Sequence, residues 1–232
     1  MTGPQPTSVN IVGQHKIGKS SLLWHFYKLR NHPRNNFSPY AVIYLSFQDG
    51  ECQEENSFYQ KVAQLLSEVP IIQTKPSLVT AFQAPDWTRS TFAKAIRLCE
   101  AQKILPVLCI DKFEALFQES YREKFDGGFY DSLHSLINNS AMMLILASLE
   151  TFDVCRNKYK LTSSFFNVGS EWSLEKFSEV EAKELVKLPQ GNIVRARPAL
   201  KEAGLYFDNA IESSRNPNES FCINCSMNLF YR

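Results

Sequence analysis

One stretch constrains this chain more than any other: Ser8-Val9-Asn10-Ile11-Val12-Gly13-Gln14-His15-Lys16-Ile17-Gly18-Lys19-Ser20-Ser21-Leu22-Leu23. Its residues 13–20 fit the spacing G-x-x-x-x-G-K-[ST] of a phosphate-binding loop. Each fixed position has a physical reason. Gly13 and Gly18 keep Cβ atoms out of a tightly curled backbone, so the N–H groups of Gln14, His15, Lys16 and Ile17 can converge on an anion. Lys19 carries an ammonium to the β- and γ-phosphates, and the hydroxyl of Ser20 suits Mg²⁺, with Ser21 next in the opening helical turn. That helix would direct its positive end at the phosphates. Such a loop must follow a buried strand and open a helix. Val9, Ile11 and Val12 provide the strand, and Leu22, Leu23, Phe26 and Leu29 provide helical spacing, ended by Asn31-His32-Pro33. A plain strand-to-helix turn is the bland alternative, and the two correct flanks weigh against it.

Composition sets the frame. With 232 residues, 44% hydrophobic and 12% aromatic, the chain can bury a large core, which excludes disordered, collagen-like and coiled-coil classes. A net charge of +1 gives no electrostatic basis for a dedicated nucleic-acid binder, although it is compatible with a local basic patch. No apolar run reaches the roughly 20 residues of a membrane helix; residues 141–147, AMMLILA, have strand length. The start, Met-Thr-Gly-Pro-Gln-Pro-Thr, lacks the basic and hydrophobic regions of a signal peptide. The expectation is a cytoplasmic protein without a membrane partner. Cys52, Cys99, Cys109 and Cys155 are scattered, and Cys222-Ile223-Asn224-Cys225 lacks the second ligand pair that a zinc site needs, so reduced thiols are expected.

A phosphate loop that holds Mg²⁺ needs an acid at the end of another buried strand. Leu105-Pro106-Val107-Leu108-Cys109-Ile110-Asp111 fits, making Asp111 the expected metal-holding aspartate, with a helix N-cap as its alternative. The residue that follows is Lys112, and a protonated ammonium cannot act as general base. Glu114 either takes that role or is an ordinary residue at a helix start.

Elsewhere strands and helices alternate, the pattern of a parallel sheet wrapped by crossovers. Strands are expected over residues 41–47, 105–111, 141–148 and, weakly, 165–168. Helices are expected over 56–68, after Asp86 as N-cap, near 129–138, and from the capping box Ser178-Glu179-Val180-Glu181 to Leu188, with a loop from Pro70 to Pro85. The fold class is thus α/β: a doubly wound, parallel, five-stranded sheet with helices on both faces. Residues 1–189 read as the nucleotide-binding core and 190–232 as an irregular, partly helical tail whose Arg195, Arg197 and Arg215 read as surface residues.

With both motifs placed, the chain resembles the STAND branch of P-loop NTPases, close to the AAA-like and archaeal-type ATPase domains. Four stretches within residues 8–189 carry the likeness: residues 12–23; Val107-Leu108-Cys109-Ile110-Asp111-Lys112-Phe113-Glu114; Leu144-Ile145-Leu146-Ala147-Ser148; and residues 174–185. The resemblance implies ATP and Mg²⁺ as cofactors. It also implies a switch whose nucleotide state alters contacts with other protein domains or with further copies of the chain. Ser148 matches the family's sensor position, where a polar group meets the γ-phosphate or the attacking water; a strand-ending serine is the alternative. Three departures stand out. Lys112 replaces an acid, Leu149 stands where an arginine is common, and the helical lid and glycine-proline motif expected after residue 190 are not recognisable. The chain therefore reads as a truncated or degenerate member with its helical lid largely missing.

Two functions follow: an ATP-binding switch with slow Mg²⁺-dependent hydrolysis, or a catalytically inactive nucleotide-binding or protein-interaction scaffold. A GTPase fits less well, because Asn157-Lys158-Tyr159-Lys160 opens like N-K-x-D but ends in a lysine. A small-molecule kinase would want an arginine-rich lid, and a DNA-associated ATPase a basic winged helix. Neither is visible.

Overall fold

The computed structural model describes residues 7–31, 39–167 and 169–178. By its contacts the chain divides into two units, Met1–Gly13 with Lys19–Ser173, and Gln14–Gly18 with Leu174–Arg232. The sheet and its helices belong to the first unit; Gln14–Gly18 and residues 174–178 are the described parts of the second. The capping box beyond Ser178 and the tail from residue 190 lie outside the described residues.

The first unit runs β1 (Val9–Val12), α1 (Lys19–Arg30), β2 (Tyr40–Ser46), α2 (Glu55–Ser67), α3 (Pro70–Gln73), α4 (Pro76–Ala81) and α5 (Arg89–Ala101). It continues with β3 (Leu105–Asp111), α6 (Glu119–Arg122), α7 (Gly127–Asn138), β4 (Met143–Ser148), α8 (Phe152–Tyr159) and β5 (Ser170–Ser173). The five strands are all parallel, in the order β2-β3-β4-β1-β5. This is the α/β sheet expected from the alternating pattern.

Strands buried on both sides should read as near-continuous apolar runs, and β3 does so up to Ile110 and β4 up to Ala147. Ala41, Ile43 and Leu45 of β2, Leu108 and Ile110 of β3, and Leu144 and Leu146 of β4 join one core with α2, α5 and α7. The alternate positions face the other way. There α1 packs along β2, β3 and β4, and its Trp24 meets Tyr44 edge-on at 5.0 Å. Helices therefore cover both faces.

The α2–α5–α7 face is unusually aromatic. Phe58 stacks on Phe47 at 5.5 Å and meets Phe129 edge-on at 5.4 Å, while Tyr59 stacks on Phe92 at 4.5 Å. Such pairs contribute ~0.5–1.5 kcal/mol each beyond area burial. Over them, Arg89 of α5 donates to both carboxylate oxygens of Glu55 at 2.5 and 2.6 Å, and to Asp126 Oδ1 at 2.5 Å. Asp126 in turn caps α7 by accepting from the Phe129 N–H, so one guanidinium ties three helices together.

The structure corrects the sequence reading in several places. The expected loop at 70–85 holds α3 and α4, each begun by a proline at its first turn and anchored by buried Ile72 and Leu78. Thr88, not Asp86, caps α5, its hydroxyl accepting from the Thr91 N–H at 3.3 Å. The strand expected from residue 141 begins at Met143, because Ser140 is left-handed and the Ala141 N–H still closes onto Leu136 O at the end of α7.

The largest difference concerns the fifth strand. Ser164–Asn167 is a 3-10 turn whose Phe165 and Phe166 pack with Phe113, Phe117, Tyr130 and Phe152. The strand is the polar Ser170–Ser173, paired in register with β1 at the sheet edge. An edge strand held by main-chain bonds needs no apolar pattern, so the phenylalanines attract the eye to the wrong place. Just before it, Gly169 has φ +87, and a Cβ there would run into the carbonyl of Ser8. Gly169→Ala is therefore expected to weaken the β1–β5 pairing and destabilise the domain by about 1–3 kcal/mol for the left-handed backbone, before any clash. Thermal or urea unfolding measures this directly, and a stability equal to wild type would contradict the assigned backbone conformation.

Candidate functional site

From β1 the chain crosses to β2 at the far edge, returns through β3 and β4, and then passes over β1 to β5. The direction of winding thus reverses between β4 and β1. In open α/β sheets ligands bind beyond the C-terminal strand ends at such a point. Val12, the last residue of β1, pairs in register with Ser148, the last of β4, and Asp111 ends β3 next in line.

The loop itself, Gln14–Gly18, has two residues with positive φ, Lys16 at 63° and Gly18 at 107°. Only glycine takes the second value without strain, which explains the glycine fixed before the lysine. Positive-φ residues in so short a loop are the kind of backbone that an anion-binding nest of successive N–H groups uses. The Ile17 N–H closes onto Gln14 O at 3.4 Å. Gln14, His15 and Lys16 are exposed, Ile17 and Gly18 half-buried.

Lys19 opens α1, is buried, and donates from Nζ to Gly13 O at 2.6 Å. Burial lowers its pKa; the nearby carboxylates of Glu114 and Asp111 oppose that shift, and the ammonium of Lys112 adds to it. These four charges therefore share one local field. Ser20 is half-buried beside Lys19, and Ser21 is exposed.

Asp111 is 4% exposed, which is rare for a carboxylate and demands partners. The Tyr44 hydroxyl donates to its Oδ2 at 3.0 Å and the Lys112 N–H to its Oδ1 at 2.9 Å. Burial first, then the charge of Asp111, pushes the Tyr44 phenol well above its ordinary value, so Tyr44 is a firm donor. Asp111 does not cap the segment that follows: Phe113–Phe117 is a 3-10 turn whose cap position is Lys112, itself left-handed at φ 56. The sequence alternative of an N-cap is thereby answered. That left-handed step reverses the chain after β3, and Glu114 follows two residues on, with its Oε2 buried and lacking a hydrogen-bond partner.

Ser148 is fully buried, and its hydroxyl lies 2.9 Å from both Asn10 Oδ1 and Glu150 O, to only one of which it can donate at a time. Asn10 also donates from Nδ2 to Glu171 Oε1 at 3.2 Å, and the same oxygen takes the Phe152 N–H at 2.6 Å, at the start of α8. A chain of polar groups thus runs from Ser148 at the end of β4, through Asn10 in β1 and Glu171 in β5, to the start of α8. Tyr44, Asn10 and Glu171 were not visible as site residues in the sequence. A polar side chain inside each apolar strand, Asn10 and Tyr44, is the only local sign of the first two.

The donor set suits a hard cation. Asp111 keeps a second lone pair on each oxygen, and Ser20, the sequence candidate beside Lys19, carries a hydroxyl; both are oxygen groups of the kind Mg²⁺ prefers. No group of three or more His, Cys, Asp or Glu able to hold a metal occurs among the described residues. Cys52, Cys99, Cys109 and Cys155 are free and buried, and burial pushes the Cys52 thiol up to about 11. Cys222 and Cys225 lie outside the described residues. No helix among the described residues is long and apolar enough to cross a membrane.

No protein-family model matches this sequence, and no curated protein is similar to it. Solved structures are. The ORC2 protein of Aeropyrum pernix, in ADPNP-ADP complexes, superposes with a TM-score of 0.52 at 12% identity, covering 78% of this chain and 45% of that one. A Walker-type ATPase of Pyrococcus abyssi gives 0.52 at 16% identity, over 86% and 54%. The Aeropyrum pernix ORC1 protein, in complex with DNA, gives 0.50 at 12% identity, over 84% and 45%. The chain spans about half the length of these structures. At such identities the likeness establishes the fold, and the chain has the α/β fold of P-loop ATPases.

Proposed function

We infer that this chain binds ATP with Mg²⁺ at the C-terminal end of its sheet and acts as a slow, nucleotide-driven switch. The observation that carries the reading is the shared field of Lys19, Asp111 and Glu114, a buried lysine and two shielded carboxylates gathered directly after a phosphate-loop sequence. A catalyst of phosphoryl transfer needs little covalent chemistry of its own; it must position the phosphates and neutralise their charge. The start of α1 would supply N–H donors, and Lys19 would leave Gly13 O for the β- and γ-phosphates. Ser20 and Asp111 are the residues that would hold Mg²⁺, which contributes further neutralisation of phosphate charge when bound.

In this reading Glu114 would accept a proton from the attacking water, supported by its buried Oε2 and the effect of its charge on Lys19. The water oxygen bonds to the γ-phosphorus, the bond from that phosphorus to the β–γ bridging oxygen breaks, and ADP leaves with the electron pair. Lys112 cannot play this part while protonated. Ser148 is read as the sensor: its hydroxyl can exchange Glu150 O for a phosphate oxygen while Asn10 stays its neighbour. The choice of ATP follows the family resemblance and agrees with the adenine nucleotides named for a structural neighbour. Its partners in switching would be other protein domains or further copies of the chain.

Isothermal titration of the protein with Mg-ATP tests the reading. Saturable one-to-one binding, weakened at least tenfold by Asp111→Asn, is expected from loss of a charged metal ligand. An absence of binding heat at millimolar nucleotide would overturn it.

A further inference from the structure

Tyr44 sits in β2, two positions before Ser46, which pairs in register with Asp111. Its ring is wedged on the α1 side of the sheet, edge-on to Trp24 at 5.0 Å and tilted against Tyr27 at 6.1 Å. Packed this way, the ring delivers its hydroxyl to one oxygen of Asp111 at 3.0 Å, while the main chain of Lys112 holds the other at 2.9 Å. One donor on each oxygen fixes the plane of the carboxylate, and the free lone pairs then point in set directions. A half-buried phenol also needs some acceptor for its own sake, so the contact alone does not separate a packing role from a functional one.

We propose that Tyr44 is a positioning residue for the metal: by fixing the Asp111 carboxylate it sets how tightly Mg²⁺ is held beside a bound nucleotide. This rests on the nucleotide-binding reading above. Outer-shell partners of metal ligands commonly matter in this way, at roughly 10–100-fold in metal affinity, because an oriented ligand loses less freedom on binding. Tyr44 has no contact with phosphate in this role and acts only through Asp111.

The test is the Mg²⁺ half-saturation for binding of a fluorescent ATP analogue, measured in wild type, Tyr44→Phe, Asp111→Asn and the double variant. Tyr44→Phe keeps the ring and its packing while deleting the donor. The expected result is an Mg²⁺ half-saturation raised about tenfold in Tyr44→Phe, from the bottom of the outer-shell range. Analogue affinity in EDTA should stay as in wild type, which a general loss of structure would not allow. In the Asp111→Asn background, Tyr44→Phe should add nothing further. An unchanged or lowered half-saturation, or an equal shift on top of Asp111→Asn, overturns the proposal while leaving the nucleotide site in place. A wild-type protein that binds no analogue with or without Mg²⁺ overturns the binding reading, and this proposal with it.

Discussion

Replacing Lys19 with alanine is expected to abolish the thermal stabilisation that Mg-ATP gives to the wild-type protein. Anything that binds the folded state alone stabilises it by RT ln(1 + [L]/Kd), about 2.7 kcal/mol at a hundredfold excess over Kd. For a domain of this size that corresponds to an upward shift in Tm of roughly 5–10 °C. Lys19 is the residue on which this should depend. It is buried, that burial lowers its pKa, the carboxylates of Glu114 and Asp111 oppose the shift, and the ammonium of Lys112 adds to it. The phosphates of a bound nucleotide would be attracted by this ammonium, and removing the ammonium removes the attraction. The comparison is the shift on adding nucleotide, not the starting Tm, because alanine also deletes the buried aliphatic stem. Lys19→Ala unfolding at the same temperature with and without Mg-ATP supports the assignment, and an undiminished shift would move the nucleotide away from this loop. The pH dependence carries a sign as well. Binding needs charged Lys19, so affinity should fall with rising pH below the ordinary lysine value of 10.5, as its lowered pKa requires.

What the sequence made legible is what depends on neighbours along the chain. The strand–loop–helix of residues 9–30 was readable because each residue's role is local: apolar alternation, two glycines, a lysine and a helical repeat. Asp111 was readable for the same reason, as an acid closing an apolar strand. Gly18 is needed by its own backbone angle, a demand that sequence spacing already encodes. The fifth strand was not legible. Its residues, Ser170–Ser173, are chosen by an edge that asks only for main-chain pairing, while the apolar signal next to it serves an aromatic cluster. Partners distant in sequence escaped too. Tyr44 and Asp111 are 67 residues apart and Asn10 and Glu171 are 161 apart, and nothing within either segment announces the other. Thr88 outcompeted Asp86 as a cap because its hydroxyl sits where the Thr91 N–H points, a matter of one backbone turn that residue preference alone does not decide.

Glu114→Gln is expected to cut phosphate release from Mg-ATP by about 10²–10⁴-fold, the usual weight of a general base, while nucleotide affinity holds within a few-fold. Size and shape are retained, and only the ability to take a proton is lost. The expectation follows from where the carboxylate sits. Glu114 lies beyond the left-handed Lys112, has an Oε2 shielded from solvent without a hydrogen-bond partner, and is the largest favourable charge acting on Lys19. A water held between it and a γ-phosphate would donate to that oxygen. Lys112→Ala separates the two residues that compete for the role. If Lys112 merely stands where an acid is common, its removal should leave turnover within a few-fold, because the proton never passes through it. Turnover unaffected by Glu114→Gln would shift the base elsewhere. A wild-type rate no higher than the uncatalysed background, with nucleotide binding intact, would instead make the left-handed lysine the decisive feature: a phosphate-loop fold whose catalytic position has been filled by a cation, and whose switch is set by binding and release alone.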